Sequence, residues 1–264
     1  MVSPQNWLLL LSYEGTAYHG WQVQPNQRTI EGELESAIFE ITREHVKVLG
    51  AGRTDAGVHA LNQTASFQSD NSFTAEKWFK ALNSVLPKDI VVKHVLSVDP
   101  DFHARYNAQG KRYRYLLTNG SWQSPFARSH SWWIRNPLNL EKMRTAASFL
   151  LGTHDFSSFR ASGCSSPSPI KDMREILIHP VTSPLGNLCL EIEASSFLQH
   201  MVRILTGTLV DVGMEKRDPE EIPLLLEAKD RTKSGKTAPA HGLYVLKVHY
   251  DPKEVFWPPG VLDP

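Results

Sequence analysis

Hydrophobic and polar positions follow two periods along the first part of the chain, and each change of period predicts a new element. A short apolar run is followed by a stripe of apolar residues spaced three or four apart, which is typical of a strand and then a helix. The predicted elements are strands in WLLLLSY (7–13), VKVLGAG (46–52), VHALNQTASF (58–67) and IVVKHVLSV (90–98), with helices around Ile30–Ile41 and in AEKWFKALNSVL (75–86). The order β-α-β-β-α-β is the split βαβ or ferredoxin-like arrangement.

The second part of the chain repeats this order. Its predicted strands are KRYRYLL (111–117), MREILIH (173–179), NLCLEIEA (187–194) and GLYVLKVHY (242–250), and its predicted helices are 140–152, 197–213 and an extra one near 219–230. Two copies of one motif predict an α+β protein made of two ferredoxin-like halves, residues 1–108 and 109–264. We expect mainly antiparallel sheets on either side of a central cleft.

Composition narrows the class of protein. The chain has 264 residues, of which 41% are hydrophobic and 21% charged, a normal globular balance. No apolar run approaches the roughly 18 residues that span a bilayer, so we expect no membrane partner. Cys164 and Cys189 are the two cysteines, too few for a disulfide framework and without metal-ligand spacing. The expected location is the cytoplasm.

The charges balance overall but cluster locally. The 28 basic and 28 acidic residues exclude a uniformly positive surface, yet a local patch that binds nucleic acid stays open. The segment 105–115 has four basic residues, no acid and interleaved tyrosines, which suits base stacking and phosphate contact. Its candidate RNA contacts are Arg105, Lys111, Arg112 and Arg114. The segment 229–236 is also basic, and it contacts either RNA or only solvent.

The segment GAGRTDAGVHA (50–60) places one acid and one base among small residues. A tight loop with Arg53 and Asp55 at its tip is either a functional site or an ordinary hairpin turn, and local composition does not decide between them. The segment is not a dinucleotide fingerprint, because Asp55 occupies the third glycine position, and it is not a phosphate-binding P-loop. No zinc or serine-hydrolase motif occurs elsewhere, so a carboxylate acting as nucleophile or base remains.

Several segments together resemble the TruA family of tRNA pseudouridine synthases. The signature GRTDAGVHA (52–60) is the most specific, and the likeness continues in family order through most of the chain. The other matching segments are YEGTAYHGWQVQP (13–25), TIEGELESAI (29–38), FHARYNAQGKRYRY (102–115), GTHDFSSFRA (152–161), FLQHMVRILTGTLVDVG (197–213) and APAHGLYV (238–245). The resemblance implies the pseudouridine synthase fold. It also implies conversion of uridine to pseudouridine at positions 38 to 40 of the tRNA anticodon stem-loop, by a homodimer without metal or other cofactor.

The resemblance also implies roles for four residues. Asp55 matches the catalytic aspartate, and a free aspartate, with a pKa of about 3.9, is ionised at neutral pH. Arg203 matches the arginine that pairs with it, and Gly207, one turn later, predicts close approach by a neighbouring element. Tyr113 matches the tyrosine that stacks on the target uracil. Arg53 is the expected base-flipping residue.

The match to the family is not complete, and the sequence also leaves other functions to consider. Ile204 stands where the family usually has asparagine, which weakens inference about polar contacts beside Arg203. His59 carries no family role and is expected to be structural. A non-catalytic RNA-binding or RNA-chaperone protein on the same scaffold is the main alternative, although Asp55, Tyr113 and Arg203 are all present. An aspartate-dependent hydrolase of a phosphorylated substrate lacks a metal site or phosphate loop.

Overall fold

The computed structural model describes residues 4–262, and this part of the chain contains ten strands and five α-helices. In chain order they are β1 (Gln5–Tyr13), α1 (Ile30–Thr42), β2 (Leu49–Gly50), β3 (His59–Ser69), α2 (Ala75–Val85), β4 (Ile90–Val98), β5 (Gly110–Asn119), β6 (Trp132–Ile134), α3 (Leu140–Ser148), β7 (Gly152–Asp155), β8 (Ile170–Ser183), β9 (Gly186–Ala194), α4 (Met201–Gly213), α5 (Glu221–Ala228) and β10 (Leu243–His249). Among these helices none combines the length and apolar character needed to cross a bilayer. Unit 1 runs up to Gln109 and resumes at Val245, and unit 2 is Gly110–Tyr244.

In unit 1 the strands lie in the order β4-β1-β3-β10, and β2 pairs with β3. Strand β1 is antiparallel to both β3 and β4. Its four consecutive leucines, Leu8–Leu11, are at most 1% exposed, because both faces of this central strand are covered. This burial explains why β1 is continuously apolar rather than alternating. Trp78 of α2 packs on this sheet with its ring 5.1 Å from that of Phe67 on β3.

The C-terminal segment belongs to unit 1, whereas the sequence analysis assigned it to the second half. Tyr250 donates a hydrogen bond to the carbonyl of Ala104 at 2.6 Å. The amide nitrogen of Asn62 on β3 donates to the carbonyls of Leu246 and Leu262 at 3.0 and 2.9 Å. These bonds return the end of the chain to the first sheet, a long-range pairing that local periodicity does not encode.

In unit 2 the strands lie in the order β5-β9-β8-β7, with antiparallel pairing, and the short β6 runs parallel to β5. Tyr113 and Tyr115 of β5 lie opposite Ile192 and Leu190 of β9 on the apolar face. Helix α4 is buried along most of its length. Alternation therefore gives this sheet one apolar face and one polar face.

The predicted α+β class and the order of the predicted elements are confirmed. Three details differ. The second predicted strand is reduced to the two residues of β2, and β6 and β7 are additional short strands. Helix α4 begins at Met201 instead of Phe197, because His200 has a φ of 61° and cannot continue a right-handed helix.

Candidate active site

Asp55 lies in the connection between β2 and β3, which we call the Asp55 loop (residues 51–58). Strand β3 holds the start of this loop. The Gln63 side chain donates to the carbonyl of Gly52 at 3.0 Å, and the backbone nitrogen of Ala51 donates to Thr64 at 2.8 Å. The loop therefore leaves a rigid strand at a defined point, which is a common setting for catalytic side chains.

Thr54, the residue before Asp55, is buried, and both its carbonyl and its hydroxyl form hydrogen bonds. Its carbonyl accepts a hydrogen bond from the backbone nitrogen of Trp21 at 3.0 Å. Its hydroxyl lies 3.0 Å from the hydroxyl of Tyr13, the last residue of β1. Burial raises the pKa of Tyr13 to about 12, although hydrogen bonds to Thr54 and Gln63 oppose the rise. The Tyr13–Thr54 hydrogen bond is therefore between neutral groups at physiological pH.

The residues after Asp55 form a tight turn. The backbone nitrogen of Val58 donates to the carbonyl of Asp55 at 3.1 Å, and Gly57 has a φ of 79°. A positive φ at the third position of a turn favours glycine. Gly57 also donates to the carbonyl of Tyr18 at 3.3 Å. This motif is therefore a tight turn whose first residue is Asp55. Its interpretation as a turn is compatible with its interpretation as a functional site.

The segment 13–21 lies directly on the Asp55 loop because two glycines leave room for it. A Cβ at Gly15 would collide with the carbonyl of Val58, and a Cβ at Gly20 would collide with the carbonyl of Thr54. Gly20 also has a φ of 87°. At the tip of the loop Arg53 is exposed and Asp55 is partly buried. The loop is thus held by its packing against segment 13–21, and Arg53 is exposed at its tip.

His59 takes part in this packing. Its ring is 2% exposed, and its Nδ1 accepts a hydrogen bond from the backbone nitrogen of Gly15 at 3.0 Å. A ring nitrogen that accepts from an amide is unprotonated. The geometry supports the structural role expected from the sequence.

Arg203 lies on α4 in unit 2 and is anchored to the segment after α5. Its Nε donates to the carbonyl of Ala238 at 2.7 Å, and the nitrogen of Ala238 donates to the carbonyl of Arg203 at 3.0 Å. A Cβ at Gly207 would collide with the carbonyl of Lys236. The close approach predicted at Gly207 is confirmed, and the approaching element is the chain at 236–238.

Tyr113 is buried on β5, with its ring centroid 4.9 Å from that of Phe197 in an edge-on arrangement. Edge-to-face packing of this kind restrains the plane of an aromatic ring. Phe197 was expected within the helix 197–213 but lies before α4, so this contact could not be predicted from helical periodicity. Tyr115, two residues along the same face, lies near Arg203, whose charge opposes the rise that burial causes in the pKa of this tyrosine.

The other basic candidates fall into two groups. Arg105 is exposed beside Tyr106, which is 76% exposed, and its guanidinium lies 5.7 Å from the ring centroid. Arg112 and Arg114 point to the polar face of the unit 2 sheet, where Arg112 contacts Glu175 and bonds Glu193 at 2.7 Å. Glu191 lies 3.3 Å from Arg112 and 2.8 Å from Arg114. We call these five side chains the Arg112 network.

The segment 229–236 is partly structural. The Lys229 ammonium lies 3.3 Å from Asp155. Arg231 donates to the hydroxyls of Ser234 and Thr237 at 2.9 and 3.0 Å, and burial lowers its pKa. Lys236 lies 4.7 Å from the ring centroid of Trp132. At least three of the four basic side chains thus make contacts within unit 2.

His179, Cys189 and Glu191 each place a potential ligand atom within 4.8 Å of the others. Burial raises the pKa of the Cys189 thiol to about 12, and the two arginines of the network already engage Glu191. Metal ions bind the thiolate form of cysteine, and nearby guanidinium groups repel a cation. These surroundings disfavour a metal centre.

Comparisons with known proteins agree with the chemistry suggested by the Asp55 loop. The protein family described as tRNA pseudouridine synthase matches residues 10–107 and 146–251. The tRNA pseudouridine synthase A of Thermoanaerobacter sp. (strain X514) is 48% identical over 246 residues, covering 93% of this chain and 100% of the relative. The proteins of the same name from Acetivibrio thermocellus and Limosilactobacillus reuteri are 44% and 43% identical, with 93% and 92% of this chain and 100% and 95% of the relatives covered. The chain therefore belongs to the tRNA pseudouridine synthase family, the isomerases that convert uridine to pseudouridine in tRNA.

Proposed function

We propose that this enzyme forms pseudouridine at positions 38, 39 and 40 of the tRNA anticodon stem-loop, with Asp55 as its catalytic group. The N1–C1′ bond of the nucleotide breaks and a C5–C1′ bond forms. The proton lost from C5 is balanced by one gained at N1, so the product is an isomer of the substrate. The observation that carries the proposal is the Asp55 loop, which presents one carboxylate at the tip of a turn fixed by backbone hydrogen bonds.

Asp55 acts beside the glycosidic bond as a nucleophile or as a base. Attack on C1′, attack on the uracil ring and removal of a sugar proton each require an ionised carboxylate next to the target nucleotide. Arg203 is proposed to pair with Asp55 and keep it charged and oriented. Its anchorage to Ala238 supports this role, because a guanidinium fixed at Nε presents its remaining donors in a defined direction.

Tyr113 and Arg53 are proposed to handle the nucleotide itself. A paired base is out of reach of the carboxylate, so the nucleotide is extruded at a cost of a few kcal/mol. Arg53, exposed at the loop tip, fills the vacated stack with its planar guanidinium. Tyr113, held edge-on by Phe197, stacks on the flipped uracil. The restrained ring supports this role because less rotamer freedom is lost on stacking.

The tRNA backbone is proposed to contact Arg105 and Lys111. The exposed Arg105–Tyr106 pair offers both a cation and a stacking surface. Arg112 and Arg114 remain candidates, but their charge is directed at the glutamates of the network, so we expect a smaller contribution from them.

The wider arrangement is also proposed from family membership. The β4-β1-β3 order with β2 on β3 supports a ferredoxin-like first half. Unit 1 and unit 2 differ from the expected halves, 1–108 and 109–264, in the C-terminal segment, and we propose that they flank a central cleft. The enzyme is proposed to act as a homodimer in the cytoplasm.

The test uses unmodified tRNA transcripts that carry a single uridine at position 38, 39 or 40. Pseudouridine formation and tRNA binding are measured for the wild type, for Asp55→Ala and for Asp70→Ala, an exposed aspartate of unit 1 that serves as control. We expect Asp55→Ala to bind tRNA and form no product, with Asp70→Ala as active as the wild type. A wild-type protein that binds all three transcripts without forming pseudouridine would support the non-catalytic RNA-binding alternative.

A further inference from the structure

Asp55 sits between two peptide groups whose orientations are both fixed. The peptide bond that joins Thr54 to Asp55 is planar, and its carbonyl accepts from Trp21 at 3.0 Å. The carbonyl on the other side, that of Asp55 itself, accepts from Val58 at 3.1 Å. These two hydrogen bonds restrain the φ and ψ of Asp55 from both sides. The direction of the carboxylate therefore depends on how firmly Thr54 is held.

The hydroxyl of Tyr13 is the side-chain group that holds Thr54. Tyr13 is 4% exposed at the end of β1, where it pairs with Ala60 of β3 and Ile90 of β4. The register between β1 and β3 shifts between Leu11 and Tyr13. Such irregularities re-aim a side chain and are common next to active sites. Strand β1 thus ends with the side chain of Tyr13 hydrogen-bonded to Thr54 of the Asp55 loop.

We propose that Tyr13 and Thr54 are positioning residues that hold the Asp55 carboxylate in its reactive orientation, an inference that rests on the proposed role of Asp55. They act through the backbone and do not contact the reacting atoms. Loss of their hydrogen bond weakens the restraint on the Thr54–Asp55 peptide, whose carbonyl still accepts from Trp21, and the carboxylate shifts away from the glycosidic bond. A displacement of about 1 Å at a reacting group costs up to about 100-fold in rate.

Unit 1 contains a second buried tyrosine–threonine hydroxyl pair. Removing its hydrogen bond tests the effect on stability alone. The hydroxyls of Tyr250 and Thr64 lie 2.6 Å apart, and Tyr250 is 8% exposed. Burial raises the pKa of Tyr250 as it does that of Tyr13, so both pairs join neutral groups. The Tyr250 hydroxyl is also bonded to the carbonyl of Ala104, away from the residues on either side of Asp55.

The experiment compares Tyr13→Phe and Thr54→Val with Tyr250→Phe and Thr64→Val. The single-turnover rate of pseudouridine formation, the tRNA affinity and the free energy of unfolding are measured for each variant. We expect the first two variants to react about 10- to 100-fold more slowly while their tRNA affinity stays within about threefold of the wild type. The two control variants lose stability but keep the wild-type rate, because Thr64 holds Ala51 through its backbone carbonyl, which valine retains. The double variant Tyr13→Phe/Thr54→Val reacts no more slowly than the slower single variant, because both remove one interaction.

Thr54→Ser keeps the hydroxyl and should keep most of the rate. Its comparison with Thr54→Val therefore tests the positioning role even if Tyr13→Phe does not fold. A wild-type rate in Thr54→Val, or equal slowing in all four hydroxyl variants, would overturn the proposal. Asp55→Ala is measured alongside. If Asp55→Ala is inactive while Tyr13→Phe matches its control, only the positioning role fails. An active Asp55→Ala refutes the proposed function of Asp55 itself.

Discussion

The Asp55 loop of unit 1 and the Arg112 network of unit 2 use charge in opposite ways. In the loop, where Arg53 is exposed and Asp55 partly buried, neutral groups hold the backbone: backbone amides, Gln63 and the Tyr13–Thr54 pair. In the network, two arginines and three glutamates contact one another across β5, β8 and β9. We therefore interpret charged residues in a sequence motif either as a substrate site, as proposed for the loop, or as ion pairs that join strands. The two cases differ in which groups hold the backbone: neutral groups do so in the loop, and ion pairs between charged side chains do so in the network.

The largest effect in this comparison is expected from Gly20→Ala, which disturbs the neutral packing under the loop. The positive φ of Gly20 strains any other residue by about 1–2 kcal/mol, and the new Cβ also collides with the carbonyl of Thr54. We expect lower stability and a rate about 100-fold below the wild type, because the loop must move to relieve the collision.

Gly163→Ala is the matched control for this variant. Gly163 has a φ of 84°, but a Cβ there would meet nothing within 4 Å. It should lose about 1–2 kcal/mol of unfolding free energy and keep its activity. Equal activity of the two variants, measured by single-turnover kinetics with chemical denaturation in parallel, would contradict the account of the loop.

An intermediate effect is expected when neutral residues replace two arginines, the paired Arg112 of the network and the exposed Arg105 outside it. Arg112→Leu leaves three glutamates without their shared partner and should reduce the unfolding free energy by about 1–3 kcal/mol, with little change in tRNA affinity.

Arg105→Ala should do the reverse. Its stability stays within about 0.5 kcal/mol of the wild type, while tRNA binding weakens and the slope of log affinity against log salt falls by about 1. Thermal unfolding and filter binding at several salt concentrations measure both quantities. If Arg112→Leu weakens tRNA binding more than Arg105→Ala does, the distinction between exposed and paired arginines is wrong.

The smallest effect is expected in the pH dependence of stability and concerns His241, which is close enough to Arg203 to be affected by its charge. Burial, together with the charges of Arg203 and His130, lowers the pKa of His241 below its ordinary value of about 6.5. Because the folded state disfavours the protonated ring, its stability is full above the unfolded-state pKa and is lost as the pH falls through the lower folded-state value. His241→Asn should flatten the fall in stability as the pH decreases below about 6.5. An unchanged slope in His241→Asn would contradict the prediction.

Local pattern predicted most of the elements but not the contacts that build the site. The continuous apolar run of β1 and the periodic patterns of α2 and β4 are local features, so the sequence alone locates these elements. The Tyr13–Thr54 bond joins residues 41 positions apart, and the Arg112–Glu193 bond joins residues 81 positions apart. Such pairings depend on the strand order and register, which periodicity leaves undetermined. The motif 50–60 was therefore sufficient to propose Asp55, whereas the role proposed for Thr54 beside it required the structure.

The most direct test of the central claim is single-turnover pseudouridine formation by Asp55→Asn on tRNA with uridines at positions 38 to 40. Asparagine keeps the size of the side chain and removes only its charge, so the turn formed by Asp55 and Val58 is retained. The account predicts tRNA binding within about threefold of the wild type and a rate at least about 1,000-fold lower. A variant that binds tRNA and forms pseudouridine at the wild-type rate would contradict it.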